Sequence, residues 1–172
     1  MVNGGVEMEG LPRSSVGHVL GLLEILVDEG GVIDAYKLAT QEHLSLDEII
    51  EIIDTAKTFG FVTVEHGDVA LTELGKKFVL ADLHERKKML HEIIENHPVY
   101  RKILSVLRGI ATHCIDREEF DKLIGSELTE VEEDVISKNV LDWGRFAEII
   151  WYDADENRVC LEEETEDGED FQ

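Results

Sequence analysis

At 172 residues and 43% hydrophobic content, the chain can bury the core of one ordinary domain or of two small ones. Sixteen Lys and Arg against 39 Asp and Glu leave a net charge of -23, which repels the molecule as a whole from DNA or an anionic membrane. No apolar run reaches the roughly 18 residues of a membrane-spanning helix, and the opening MVNGGVEMEG has neither the basic nor the apolar part of a signal peptide. Only two cysteines occur, Cys114 and Cys160, without C-x-x-C spacing. The expectation is a cytoplasmic chain whose thiols stay reduced and serve as small buried apolar residues.

Residues 1–10 are Gly-rich and acidic and are expected to be disordered. From Ser15 to Glu29, Val16, Val19, Leu20, Leu22, Leu23, Leu26 and Val27 recur at helical spacing, with Ser14 or Ser15 as cap and Gly30-Gly31 as stop. A short second helix starts from Asp34 and turns Ala35, Leu38 and Ala39 inward. A third opens at Ser45, where Ser45 and Glu48 make a capping box, and its stripe of Leu46, Ile49, Ile50, Ile53 and Ala56 ends at Gly60. The period then becomes alternating: Phe61, Val62 and Val64, a turn at His66-Gly67-Asp68, then Val69 and Leu71, a hairpin. Three helices followed by a hairpin predict a winged helix-turn-helix over residues 11–72.

Thr72 and Glu73 cap a helical stretch that is expected to run unbroken over residues 73–97, closed by His97-Pro98. Val79, Leu83, Arg86, Leu90, Ile93 and His97 suit a helix seam, which either packs the units together or forms a homodimer. Beyond Pro98 the order recurs over residues 98–163: a helix over Val99–Ile110, Asp121-Lys122-Leu123 beside Tyr36-Lys37-Leu38, and a capping box at Thr129 and Glu132. Gly144 stands in the place of Gly60, before strands at Ala147–Tyr152 and Arg158–Glu162. The fold expected is mainly α with small β-hairpins (α+β), two winged helices in tandem joined by a long helix. Residues 164–172 are an acidic tail expected to be disordered.

Leu11-Pro12-Arg13-Ser14-Ser15-Val16-Gly17 with Gly21-Leu22-Leu23-Glu24, Gly60-Phe61, Gly67-Asp68-Val69 and Leu71-Thr72, and Asp142-Trp143-Gly144-Arg145-Phe146-Ala147-Glu148 before Tyr152-Asp153 are in order along the chain. In these the chain resembles the AAA-associated C-terminal domain family, from Leu11 to about Glu163. The resemblance implies an accessory domain of the kind usually fused to ATP-binding subunits of nitrate, sulfonate or taurine type ABC importers. Here it is expected to be free-standing: Leu74-Gly75-Lys76-Lys77 lacks the first glycine and the Ser/Thr of a GxxxxGK[ST] phosphate loop.

Neither catalysis nor a cofactor is expected. His91-Glu92-Ile93-Ile94-Glu95 carries Glu95 where the zincin pattern needs a second histidine, so no metal is expected, and Cys114 beside His113 points away from it. The helices that would read DNA carry Asp47, Glu48, Glu51 and Asp54 in the first unit and Glu130, Glu132, Glu133 and Asp134 in the second, which phosphates would repel. From Lys76 to Arg117, however, nine basic residues face five acidic ones, so the middle is basic between acidic ends. The expected function is protein interaction or regulation, with an ABC-type ATPase as a candidate partner and no membrane insertion. Arg13, Arg86, Lys87, Lys88, Arg101, Lys102 and Arg145 are the candidate contacts. The alternative is a transcription regulator that binds DNA as a dimer through the basic middle.

Overall fold

The computed structural model describes residues 10–125 and 128–162, and the expectations for residues 1–9 and 164–172 lie outside them. The fold is mixed α+β. It opens with α1 (Val16–Asp28), β1 (Val32–Asp34), α2 (Ala35–Glu42), α3 (Leu46–Thr58), β2 (Val62–Glu65) and β3 (Asp68–Leu71). Side-chain oxygens of Ser15, Asp34 and Ser45 accept from backbone N–H groups in the first turns of α1, α2 and α3, and Glu48 completes the capping box on Ser45. Those caps explain where the helices begin, because the first turn has donors with no intrahelical acceptor. α1 buries Val19, Leu22, Leu23 and Leu26, each removed from water at a gain of about 1.5 to 3 kcal/mol.

The expected hairpin is one edge of a three-stranded antiparallel sheet in the order β1-β3-β2. β1 was not expected: Val32-Ile33-Asp34 is too short to show alternation, and only Ile33 of the three is buried. Its partners are Val32 with Ala70, Ile33 with Val69 and Asp34 with Asp68.

The helix expected over residues 73–97 is two helices, α4 (Glu73–Leu80) and α5 (Leu83–Glu95). The break lies at Ala81-Asp82, where Ala81 is extended (φ -72°, ψ 156°) and the Asp82 carboxylate accepts from the Glu85 N–H at 2.8 Å. Asp82 therefore caps a new helix. The Arg86 guanidinium folds back to donate to the Phe78 and Val79 carbonyls at 3.0 and 2.6 Å, supplying donors to acceptors that the end of α4 leaves open.

The second half follows as α6 (Pro98–Arg108), β4 (Cys114–Asp116), α7 (Arg117–Gly125), α8 (Glu130–Phe146), β5 (Ile150–Asp153) and β6 (Arg158–Leu161). Thr129 and Glu132 form the expected capping box at the start of α8, and His97 with Pro98 begins α6. A second three-stranded sheet is ordered β4-β6-β5, so the sequence helix, strand, helix, helix, strand, strand occurs twice. Three expectations for this half need correction. Gly144 is buried within α8 rather than standing after it. The place of Gly60 belongs to Glu148, since the Phe61 N–H reaches the Ala56 carbonyl just as the Ile149 N–H reaches the Gly144 carbonyl, both at 3.0 Å. And the sheet registers make Ile115, paired with Val159, the counterpart of Ile33, paired with Val69, which moves α7 by about one turn from the expected correspondence of Leu123 with Leu38.

The cysteines are also not as expected. Cys114 and Cys160 are cross-strand partners on β4 and β6 and form a disulfide over a separation of 46 residues. They therefore lend no support to a reducing compartment, and the cytoplasmic placement loses that argument. Among the described residues no helix is long and apolar enough to cross a membrane.

A continuous hydrophobic core joins the halves, from Leu23, Leu26, Leu38 and Phe61 through Phe78, Leu90 and Ile94 to Tyr100, Ile103 and Trp143.

Candidate partner-binding surface

The seven candidate contacts do not form one surface. Arg86 is half-buried and committed to the end of α4. Arg13 lies in the segment Gly10–Ser15, which is fastened between the halves. Thr55 Oγ1 accepts from the N–H groups of Arg13 and Ser14 at 3.0 Å each, and Thr58 Oγ1 donates to the Gly10 carbonyl at 3.2 Å. Arg101 and Lys102 lie on α6, where Arg101 is exposed and Lys102 half-buried, and Arg145 is exposed on the last turn of α8.

The same junction explains two of the short sequence pieces that resemble a family. The Trp143 indole N–H donates to the Ser14 carbonyl at 2.8 Å, across 129 residues of chain. The Trp143 ring lies 4.6 Å from Phe59, which in turn lies 5.3 Å from His97. His97 Nδ1 accepts from the Val99 N–H at 3.3 Å, which leaves the proton on Nε2 to face Thr58 Oγ1 at 2.9 Å. Burial holds the His97 imidazole below its ordinary range, in the neutral form that this relay requires. Tyr100 donates to the Val140 carbonyl at 2.7 Å, and burial, then the charge of Asp142, pushes its phenol well above the usual value. These are fastening contacts. A sequence alone does not bring Ser14 and Trp143 together, although a buried Trp needs some acceptor for its N–H.

Lys87 and Lys88 are placed differently. With His84 and His91 they recur at intervals of three and four along α5 and so share one face. The four line a cleft of about 290 Å³ whose other wall is Ala147 and Glu148. Lys87 Nζ lies 3.4 Å from Glu148 Oε1 and 5.8 Å from the Phe146 ring centre. His91 Nδ1 lies 3.0 Å from the Ala147 carbonyl, so the histidine of the zincin-like fragment is engaged with backbone. Among the described residues, no group of three or more His, Cys, Asp or Glu side chains is placed to hold a metal. Gly75, the glycine of the phosphate-loop-like fragment, packs in α4 against the Phe61 carbonyl.

The faces of α3 and α8 that point to solvent are acidic and partly apolar. α3 exposes Asp47, Glu48, Ile50, Glu51 and Asp54. α8 exposes Glu130, Glu132 and Asp134 around Val131 and Val135, whose relative exposures are 76% and 54%. Hydrogen bonds from the backbone and side chain of Ser45 hold the Glu48 carboxyl below its ordinary range, and Thr129 does the same for Glu132. Both start their helices as anions.

The family model described as C-terminal AAA-associated domain matches residues 36–153. The chain belongs to that family. The matched span takes in α2 through β5 and leaves the Leu11–Ser15 piece outside it. No curated protein and no solved structure matches the chain.

Proposed function

We propose that this AAA-associated domain is a non-enzymatic protein-interaction module, made of winged-helix units at residues 11–72 and 98–163, whose partner is an ABC-type ATPase. Family membership supports the ATPase as partner. The exposed face of α8 carries the argument for protein rather than nucleic acid. Val131 and Val135 are one turn apart and open to water within a ring of carboxylates, a surface that repels phosphates but suits an apolar, basic patch on a protein.

A tagged chain should retain a purified ABC ATP-binding subunit on an affinity column, and Val131→Asp with Val135→Asp should release it at unchanged thermal stability. Retention unaffected by those changes would move the contact elsewhere. No retention at all would remove the ATPase reading. Gel-shift titration with random duplex at low salt separates the DNA alternative, which requires a shift that the module reading does not expect.

A further inference from the structure

The cleft on α5 is a basic site in a chain of net charge -23. Its lining has one carboxylate, Glu148, against Lys87, Lys88, His84 and His91, while Glu85, Glu92 and Glu95 of α5 stand outside it. The wall opposite α5 is also where the described chain ends. β6 pairs Leu161 with Ile150, and the Glu162 N–H donates to the Ile149 carbonyl at 2.9 Å, one residue from Glu148. Residues 163–172, EETEDGEDFQ, follow Glu162 in the sequence and carry six carboxylates.

We propose that residues 163–172 dock in cis on this cleft, setting their carboxylates against Lys87 and Lys88. The geometry permits it easily. His84 to His91 spans about 10 Å of helix at 1.5 Å per residue, whereas ten extended residues reach about 33 Å. Each exposed ion pair is weak and screened by salt, but the tail is tethered at the rim, so its effective concentration there is on the order of millimolar or higher. The contact is reversible and salt-sensitive, and it gives way to a partner that brings more negative charge or apolar contact as well.

Carbodiimide coupling joins only amines and carboxylates already in contact, and it can be applied to the full chain. At low salt, peptide mapping should show Lys87 or Lys88 joined to carboxylates of residues 163–170, with the Lys87–Glu148 link as internal control. In an equal mixture of 14N and 15N chains these links should join residues of the same isotope, and they should fade in about 0.5 M salt, where the Debye length falls to roughly 4 Å. Links from the tail to Lys76, Lys77 or Lys138 with equal frequency, links between chains of different isotope, or no tail links where Lys87–Glu148 forms would each overturn the proposal. A second readout uses no coupling reagent. Replacing the six tail carboxylates by amides should shift the backbone amide signals of His84, Lys87, Lys88 and His91, and signals unchanged there would count against docking.

Discussion

The two halves share element order and sheet register but stabilise them with different chemistry. Ile33 with Val69 and Ile115 with Val159 are the same apolar pair in both sheets. On one side of that pair the first half sets Val32 against Ala70, where the second has the Cys114–Cys160 disulfide. On the other side the first half opposes two acids, Asp34 and Asp68, where the second opposes Asp116 and Arg158. Asp34 spends its carboxylate on the N-terminus of α2, accepting from Lys37 at 3.0 Å, which makes the acidic pair tolerable. Arg158 also holds Asp153 at 3.0 Å, and this contact, with backbone donors from Glu156 and Asp155, keeps the Asp153 carboxyl below its usual range. A common register thus requires the central apolar pair and leaves the flanking pairs free to differ.

Putting the first half's flanking pair into the second tests that claim most strongly. Cys114→Val with Cys160→Ala should keep the register and cost about 4 kcal/mol, the chain entropy released by a loop of this length. Denaturant unfolding measures the loss, and amide exchange in β4 and β6 reports whether the strands stay paired. Intact mass under non-reducing conditions should first show the wild-type chain two hydrogens lighter than its reduced form.

Glycine packing differs between the halves in the same manner. A Cβ on Gly75 would lie 2.1 Å from the Phe61 carbonyl oxygen, which is backbone and has nowhere to go, so Gly75→Ala should lose about 3 kcal/mol or more. A Cβ on Gly144 meets the Ile150 side chain at 2.7 Å and Tyr100 at 3.3 Å. Ile150 must give by about 0.7 Å in a buried site, but it is a side chain and alanine favours a helix, so Gly144→Ala should cost about 2 kcal/mol, less than Gly75→Ala. Equal costs in urea unfolding would mean that Ile150 is as fixed as the backbone.

How much of this was legible in the sequence depends on the range of each interaction. Caps at Ser15, Asp34, Ser45, Thr72 and Thr129 act within one turn, and all were readable from side chains a few residues apart. The break at Asp82 has the same local signal, since Asp82 and Glu85 have capping-box spacing, but the apolar stripe runs across it without a gap. β1 and β4 were not readable, because three residues show no period and their strand state is conferred by β3 and β6. The cysteine pairing follows from that same register. Of the site, the basic stripe of α5 was visible in the sequence, whereas its opposite wall depends on how the turn after α8 is folded. The intramolecular role of Arg86 was hidden for a related reason: nothing local reveals the carbonyls it satisfies.

The turn after each long helix offers the smallest and most discriminating comparison. Gly60 has φ +83° and Glu148 φ +57° in equivalent left-handed positions, so one half uses the residue that tolerates this backbone and the other does not. A Cβ on Gly60 would meet only Leu74 at an ordinary 3.5 Å, so Gly60→Ala should cost about 1 to 2 kcal/mol from backbone conformation alone. Glu148→Gly should go the other way and stabilise by about 0.5 kcal/mol, the relief of left-handed strain reduced by the freedom glycine adds to the unfolded chain and by loss of the exposed pair with Lys87. Urea midpoints for both variants, at low and at high salt, separate the contributions. A gain that grows with salt means that the Lys87 pair was supporting Glu148 against its own backbone. A loss at both salt concentrations means that the carboxylate is held by more than Lys87, and the strain assigned to this turn would then be too large.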